Sequence, residues 1–419
     1  MSLPPRILVI KSRHLGDVLL TGPLISSLRL RHPEAFIAAL VKPDTRVMLE
    51  GHPHLNAVLT FVVRRKGEGV LSYVGRLFQW WRHLRGQRFD WVISTTKGDR
   101  GLITALLSGA SRRVGLGRRR NEKNWRKWIR TETLYPGDGL RHTVIRNLNL
   151  LGSRRDPSLH RESELDSDSS AGTELSSAPV TETETGDSIA SGSGQATETE
   201  PTYRSVHMAF DEGDARMVAG TLEAGGWDGV KPLIQVHPTS RWFFKCWDDI
   251  GMAQAIDFLA SRGCHVVVTG APSSKEREKN SAILSHCQAS VQDLTGALSI
   301  KELAALTARC QLFFGVDTAP MHMAAALDIP VVGLLGPSKV WAWGPWPNGY
   351  EGARTPYPKP RGNQRAGKHT VIQKDWECVP CGSDGCEGSK KSQCLDELTP
   401  DEVISELKEA LARTLGNPP

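Results

Sequence analysis

No stretch of this sequence stays apolar for the roughly 18 residues that a membrane-crossing helix needs. A spanning protein is therefore not expected. The apolar run after Arg6 is only ILVI, far short of the about 7–15 residues of a secretory core. A cytoplasmic chain is expected, with its 8 cysteines as thiols rather than a disulfide framework. One segment lacks whole residue classes. Residues 163–202 hold no aromatic, and residues 162–202 hold 10 acidic residues with no Lys or Arg. So polar a segment buries too little apolar surface to offset the entropy of ordering, and disorder is expected there. No GK[ST] closes a glycine-rich loop, which argues against a Walker phosphate site. Nothing matches an RRM, KH or zinc-finger signature, and no short-period repeat is present.

What remains is basic and α/β in pattern. The chain has 419 residues, which suits two domains. Its net charge of +6 includes the acidic segment, so the rest is far more basic. Such a body favours phosphorylated substrates, nucleotides, an acidic membrane surface or nucleic acid. Short apolar runs read as strands: RILVI, FIAALV, AVLTFVV and DWVISTT before the acidic segment, then LIQVHP, CHVVVTG, QLFFGV and IPVVGLL after it. Helical patterns lie between them. VLLTGPLISSLRLRH reads as one helix despite Pro23, and residues 71–85 read as a helix packed through Tyr73, Leu77, Trp80, Trp81 and Leu84. Alternation of this kind predicts parallel sheets covered by helices on both faces, in two Rossmann-like halves.

Open parallel sheets bind ligands beyond the carboxyl ends of their strands, so the loops there carry the candidates. KSRHLGD places Asp17 at the start of a helix, either as an N-cap or as a general base. HPTSRWFFKCW offers the Thr239 and Ser240 hydroxyls and the Lys245 cation to phosphate oxygens, or is a turn with core aromatics. In GVDTAPMHMAAAL, Pro320 suits a first helical turn capped by Asp317 or Thr318, whose amide groups form an anion site. His322 lies about one turn further on, as a ligand contact or a packed side chain. A fourth loop carries Gly336, Pro337 and Ser338. The spacing C-x2-C-x4-C-x7-C at 378, 381, 386 and 394 invites a zinc site with four thiolates, against a loop of reduced thiols. Residues 111–130 hold nine basic residues and one acidic, with Trp125 and Trp128 interleaved. This stretch suits nucleic acid, a phosphorylated glycolipid, an anionic bilayer or a solvated face.

Taken together, ILVIKSRHLGDVLLTGPLISSLR, HPTSRWFFKCW, LTGALSIKELAAL, FFGVDTAPMHMAAAL and CVPCGSDGCEGSKKSQCL resemble the ADP-heptose:lipopolysaccharide heptosyltransferases, glycosyltransferase family 9, in particular the heptosyltransferase III subgroup. The acidic insertion is a departure from that pattern. The resemblance implies a GT-B fold: two Rossmann-like domains with the active site in the cleft between them. It places an acceptor-binding domain at 1–155, a disordered linker or insertion at 156–204, and a donor-binding domain at 205–398 with a Cys-rich loop at 376–395. A helix at 399–419 would pack back toward the N-terminal domain. It implies inverting transfer of L-glycero-D-manno-heptose from ADP-heptose to the lipopolysaccharide inner core, on a side branch of the second core heptose. The alternative is another donor sugar or acceptor position, and the rival from another class is a non-catalytic, zinc-built binding protein for nucleic acid.

By the same resemblance Asp17 is the general base. Thr239, Ser240, Lys245, Thr318 and Ala319 hold the donor diphosphate. Asp317, His322, Gly270 and Glu276 contact the donor sugar or nucleotide, with Ser274 and Lys275 as alternatives to Glu276. Lys11, Arg13, Arg118, Arg119 and Arg120 face the acceptor or the membrane. No metal and no cofactor are expected, nor a nucleic-acid partner. The expected form is a monomer in peripheral contact with the cytoplasmic face of the inner membrane.

Overall fold

The computed structural model describes residues 3–96, 98–117, 124–135, 139–152 and 202–416. Two sheets carry the fold. The first is β1 (Arg6–Ile10), β2 (Phe36–Val41), β3 (Ala57–Thr60), β4 (Trp91–Ser94), β5 (Arg112–Leu116) and β6 (Glu132–Leu134). Its strands are all parallel, in the order β3-β2-β1-β4-β5-β6. The second is β7 (Leu233–His237), β8 (His265–Val268), β9 (Gln292–Asp293), β10 (Leu312–Val316), β11 (Val331–Leu334), β12 (Gln364–Ala366) and β13 (His369–Ile372). Its order is β12-β13-β11-β10-β7-β8-β9, parallel except for β12 against β13. Near-continuous apolar strands such as ILVI and LFF are buried on both faces, as parallel sheets require. Strand order reverses between β1 and β4 in one sheet and between β7 and β10 in the other. Those two switch points are where a doubly wound sheet opens a crevice.

One apolar layer joins the halves. Leu24, Ile25 and Val144 from the N-terminal side share a buried cluster with Leu303, Met323 and Trp346 from the C-terminal side. Polar ties run beside it. His142 Nε2 bonds Gly344 O at 3.0 Å, and Thr143 Oγ1 donates to Ala342 O at 2.9 Å. Lys301 Nζ donates to Glu50 O at 2.7 Å.

Several expectations need correction. The helix expected across residues 18–32 is two, Leu15–Leu19 and Gly22–Arg31. Pro23 has no N–H to give and its ring would meet the carbonyl of residue 19, so the chain restarts at Thr21. The helix Val70–Gly86 buries only Leu84, with Trp80 and Trp81 half-buried and Leu77 exposed. The last helix, Pro400–Leu415, buries Val403, Leu407, Ala410 and Leu411 among residues of the C-terminal sheet and the helix Asp249–Ser261. Its apolar stripe therefore faces its own domain rather than the N-terminal one. Most of the expected disordered segment, and Arg118, Arg119 and Arg120, lie outside the described residues. Tyr203 and Arg204, at its end, are packed: Tyr203 N donates to Ser27 Oγ at 2.8 Å, and Arg204 donates to Gly352 O at 2.7 Å. The basic stretch also hides a strand. In β5, Arg112 pairs with Glu132 at 2.7 Å, and Arg113 donates to the carbonyls of Ile129 and Ala110. Both arginines therefore hold the sheet edge.

Candidate active site

The loops at the two switch points face each other across a cavity of about 800 Å³, open at one side. That size suits a nucleotide-sized ligand. From the first sheet come Arg13, His14, Gly16 and Asp17 after β1, with Lys42, Asp44 and Thr45 after β2. From the second come Ser240 and Lys245 after β7, Asp317, Thr318 and His322 after β10, and Ser338 after β11. The loops touch where the His14 and Trp242 rings meet edge to face, 6.4 Å between centroids.

Asp17 does not cap its helix. The N-cap position is His14, and Asp17 sits inside the first turn. Its Oδ1 lies 2.9 Å from Lys11 Nζ. Lys11, expected among acceptor or membrane contacts, is buried on β1's exit and serves this pair. Arg13 stays on the cavity wall.

Opposite, Lys245 Nζ lies 2.6 Å from Asp317 Oδ2, which also accepts the Ser338 hydroxyl. Burial alone would raise the Asp317 pKa. The Lys245 ammonium and the bonds from Lys245 and Ser338 outweigh it and hold the carboxyl below its ordinary value. Asp317 is therefore an anion that neutralises and aims Lys245. Thr318 occupies the N-cap of the helix Ala319–Ala326 but makes no side-chain cap bond, and Pro320 supplies no N–H. The first-turn amides thus retain their positive dipole end beside Lys245. His322 is buried in this helix. Burial lowers its pKa against the pull of Asp317 and Asp17, and its Nδ1 has no hydrogen-bond partner among the described residues. Its ring shares the cavity wall with both carboxylates.

Three expected donor contacts stand off the cavity wall. Thr239 is fully buried and donates to Glu276 Oε2 at 2.8 Å. The same oxygen accepts Ala271 N–H at 3.0 Å. This hydroxyl is committed to holding two loops together, not to a phosphate. Glu276 is correspondingly buried. Gly270 has no room for a side chain, because a Cβ there would lie 2.7 Å from Asn280 Nδ2. Ser240 alone of the Thr-Ser pair reaches the cavity.

Sequence reasoning missed part of the wall. Lys42, Asp44 and Thr45 follow β2, so the strand-end rule points at them. Cys381, Gly382, Ser383 and Asp384 also line the cavity, and no local signal in the sequence brings a loop from beyond β13 to this place. The four clustered cysteines are free thiols. Burial pushes the Cys394 thiol up to about 12, and the neighbouring thiols of Cys386, Cys381 and Cys378 add to it. Among the described residues no group of three or more His, Cys, Asp or Glu is placed to hold a metal ion. The zinc site that the spacing invites is not assembled.

Two apposed Rossmann-like sheets with chemistry at both switch points are the arrangement of a GT-B enzyme, and similarity to known proteins agrees. The model of glycosyltransferase family 9 (heptosyltransferase) matches residues 77–368. The chain belongs to glycosyltransferase family 9. Family 9 relatives include lipopolysaccharide heptosyltransferase 3 of Escherichia coli K12, 29% identical over 80% of this chain and 83% of that protein. Among solved structures, E. coli ADP-heptose lipopolysaccharide heptosyltransferase II superposes with a TM-score of 0.67 at 19% identity, covering 97% of this chain and 99% of that one. A family 9 glycosyltransferase from Veillonella parvula gives 0.69 at 19% identity, covering 99% of both. At such identities the superpositions speak for the fold, which is GT-B.

Proposed function

We propose that this family 9 enzyme transfers a heptose from ADP-heptose, with inversion, to the inner core of lipopolysaccharide, on a side branch of the second core heptose. The observation that carries the reading is one cavity with a carboxylate on the N-terminal wall and, on the C-terminal wall, a part-buried Lys–Asp pair beside a helix N-terminus. The N-terminal domain, residues 1–155, takes the acceptor, and the C-terminal domain, residues 205–398, takes the donor. The relatives' names supply the substrate class; the cavity supplies the groups.

Asp17 takes the proton of the acceptor hydroxyl, and Lys11 holds its other oxygen in place. The freed oxygen attacks the anomeric carbon from the face opposite the diphosphate. As that bond forms, the carbon–oxygen bond to the diphosphate breaks and ADP leaves. Lys245, the Ser240 hydroxyl and the amides at Thr318 and Ala319 receive the developing charge. With a cation and N–H donors at the leaving group, turnover is expected without a divalent metal. Asp317 and His322 lie where the sugar sits between the walls. The acceptor is a phosphorylated glycolipid, so the enzyme works in peripheral contact with the inner membrane, as a monomer. No helix among the described residues is long and apolar enough to cross that membrane.

The test is ADP release from ADP-heptose with purified inner-core glycolipid, with and without EDTA, for wild type and Asp17→Asn. Acceptor-dependent, EDTA-resistant turnover that falls by about 10²–10⁴-fold in the variant supports the mechanism. Full activity of the variant removes Asp17 as the base. Turnover with another sugar nucleotide in place of ADP-heptose overturns the donor assignment.

A further inference from the structure

The helix Val70–Gly86 carries two apolar stripes. Tyr73, Trp80 and Leu84 form the inner one: Leu84 is buried, and Trp80 Nε1 donates to Thr60 O at 2.9 Å. At 3.6 residues per turn, Val70, Val74, Leu77, Phe78 and Trp81 form a second stripe about 100° round the axis. This one is open. Leu71 at its edge is 89% exposed, Val70 63% and Phe78 53%. Trp81 Nε1 donates to Leu107 O at 3.0 Å, which joins the stripe to the helix Asp99–Leu107 and its exposed Ile103, Leu106 and Leu107. Arg126 pairs with Asp99 at 2.5 Å and so ties on the helix Asn124–Ile129, whose Trp128 is 78% exposed.

The charge on this face is predominantly basic. The helix Val70–Gly86 holds no acidic residue, and exposed Arg82 and Arg85 flank its open stripe. Exposed Lys127 stands beside Trp128, and the nearby Asp99 is neutralised by Arg126. Beside Trp81 lies an open cavity of about 600 Å³ lined by Arg82, Arg85 and Arg88; its one carboxylate, Asp90, accepts the backbone N–H of Arg6. All three helices follow strands of the parallel sheet (β3, β4 and β5), so their first turns lie toward the carboxyl edge where the active cleft opens.

We propose that this face docks on an anionic lipid bilayer, with the aliphatic and aromatic stripe entering the interfacial layer and the arginines pairing with lipid phosphates. Contiguous exposed apolar surface on this scale marks an interaction site. Long aromatics rimmed by Arg and Lys are the chemistry of the bilayer interface. A second copy of the chain fits less well, because it would set Arg82, Arg85 and Lys127 against their own like charges, while Asp99 is already paired with Arg126 and Asp90 accepts the Arg6 N–H. The inference deepens the proposed function, since a lipid-borne acceptor requires the cleft to be held at a membrane.

The test uses the full chain and vesicles of phosphatidylethanolamine with phosphatidylglycerol, against neutral phosphatidylcholine vesicles, read by flotation. The wild type floats with the anionic vesicles only. Leu71→Ser/Phe78→Ser/Trp128→Ser, and separately Arg82→Glu/Arg85→Glu, each lower partitioning by about tenfold or more. Both variants keep wild-type turnover on a delipidated, water-soluble core oligosaccharide, which reports that they fold. Vesicle binding that neither variant weakens overturns the proposal, and so does a wild type that ignores anionic vesicles. A dimer that the Ser variant dissolves, without vesicle binding, assigns the face to a second copy and overturns it too. Vesicle binding lost in the variants, from a protein that turns over no heptose donor, supports the surface and counts only against the reading of the cleft.

Discussion

A Cβ placed on Gly16 would lie 2.8 Å from Cδ2 of His322. The Asp17-bearing turn of one domain thus meets the helix Ala319–Ala326 of the other through the His322 ring, which packs directly on the bare Cα of Gly16. The helices Leu15–Leu19 and Ala319–Ala326 pack directly as a result. Gly16→Ala must move one against the other. An error of about 1 Å in such an alignment costs on the order of 10²-fold in rate. Turnover is expected to fall by that order while the thermal midpoint hardly shifts. Wild-type kcat in Gly16→Ala would show that the contact does not set the alignment.

The Lys245–Asp317 pair lends itself to a double-mutant cycle. Lys245→Met leaves the buried Asp317 carboxylate without its cation, at a cost below the about 3–5 kcal/mol of a fully buried pair because Lys245 is partly exposed. Lys245→Met/Asp317→Asn removes both charges and recovers most of that stability. On the proposed mechanism neither variant recovers turnover, because the leaving diphosphate would lack its cation. Denaturant midpoints and ADP titrations separate the two effects; a double variant as unstable as the single one would contradict the pairing.

His142 fixes a proton. Val144 N–H donates to its Nδ1 at 3.2 Å, so Nε2 carries the hydrogen and donates to Gly344 O. Burial pushes its pKa down to about 3. The unfolded chain takes up the proton near 6.5, so the native state keeps its full stability above that value. Stability then falls as pH drops from about 6.5 toward 3, by about 1.4 kcal/mol per pH unit for one such group. His142→Gln should flatten the loss of urea resistance between pH 7.5 and 5. An unchanged pH slope would place the loss elsewhere, for instance at buried His237 and His369, both lowered to about 4.

Cys381 is exposed and lines the active cleft. A bulky maleimide should label Cys378 and Cys381 well before buried Cys246, Cys310 and Cys394, and should block turnover. Cys381→Ser should be active and resistant to the reagent. Inactivation that persists in Cys381→Ser would move the sensitive thiol to another position.

The strands were legible because their apolar runs are short, β-branched and bounded by turn residues, and RILVI and QLFFGV stand where the pattern puts them. The switch-point loops were legible for the same reason, since knowing a strand's end locates the loop beyond it. What escaped was decided by partners distant in sequence. Thr239 looks like a phosphate ligand until Glu276 arrives from the first turn of the helix Ser274–His286. Lys11 looks like a surface cation until Asp17 folds back over it. Arg112 and Arg113 look like a binding patch because their strand has no apolar run of its own; Glu132 and Trp91 make it a strand. The Cys-rich loop reaches the cleft through tertiary packing alone: Ser392 donates to Phe244 O, and Gly382 N–H to Pro337 O.

The apolar layer shared by the two sheets separates the molecule's connectivity from its cohesion. The peptide linkage between the halves runs through residues 153–201, while the contact between them runs through Leu24, Val144, Met323 and Trp346 and the bonds of His142, Thr143 and Lys301. A chain divided within that stretch would yield two polypeptides that recognise each other as subunits do. Co-expressed, they should co-elute as one two-chain assembly, formed without the design of a new interface.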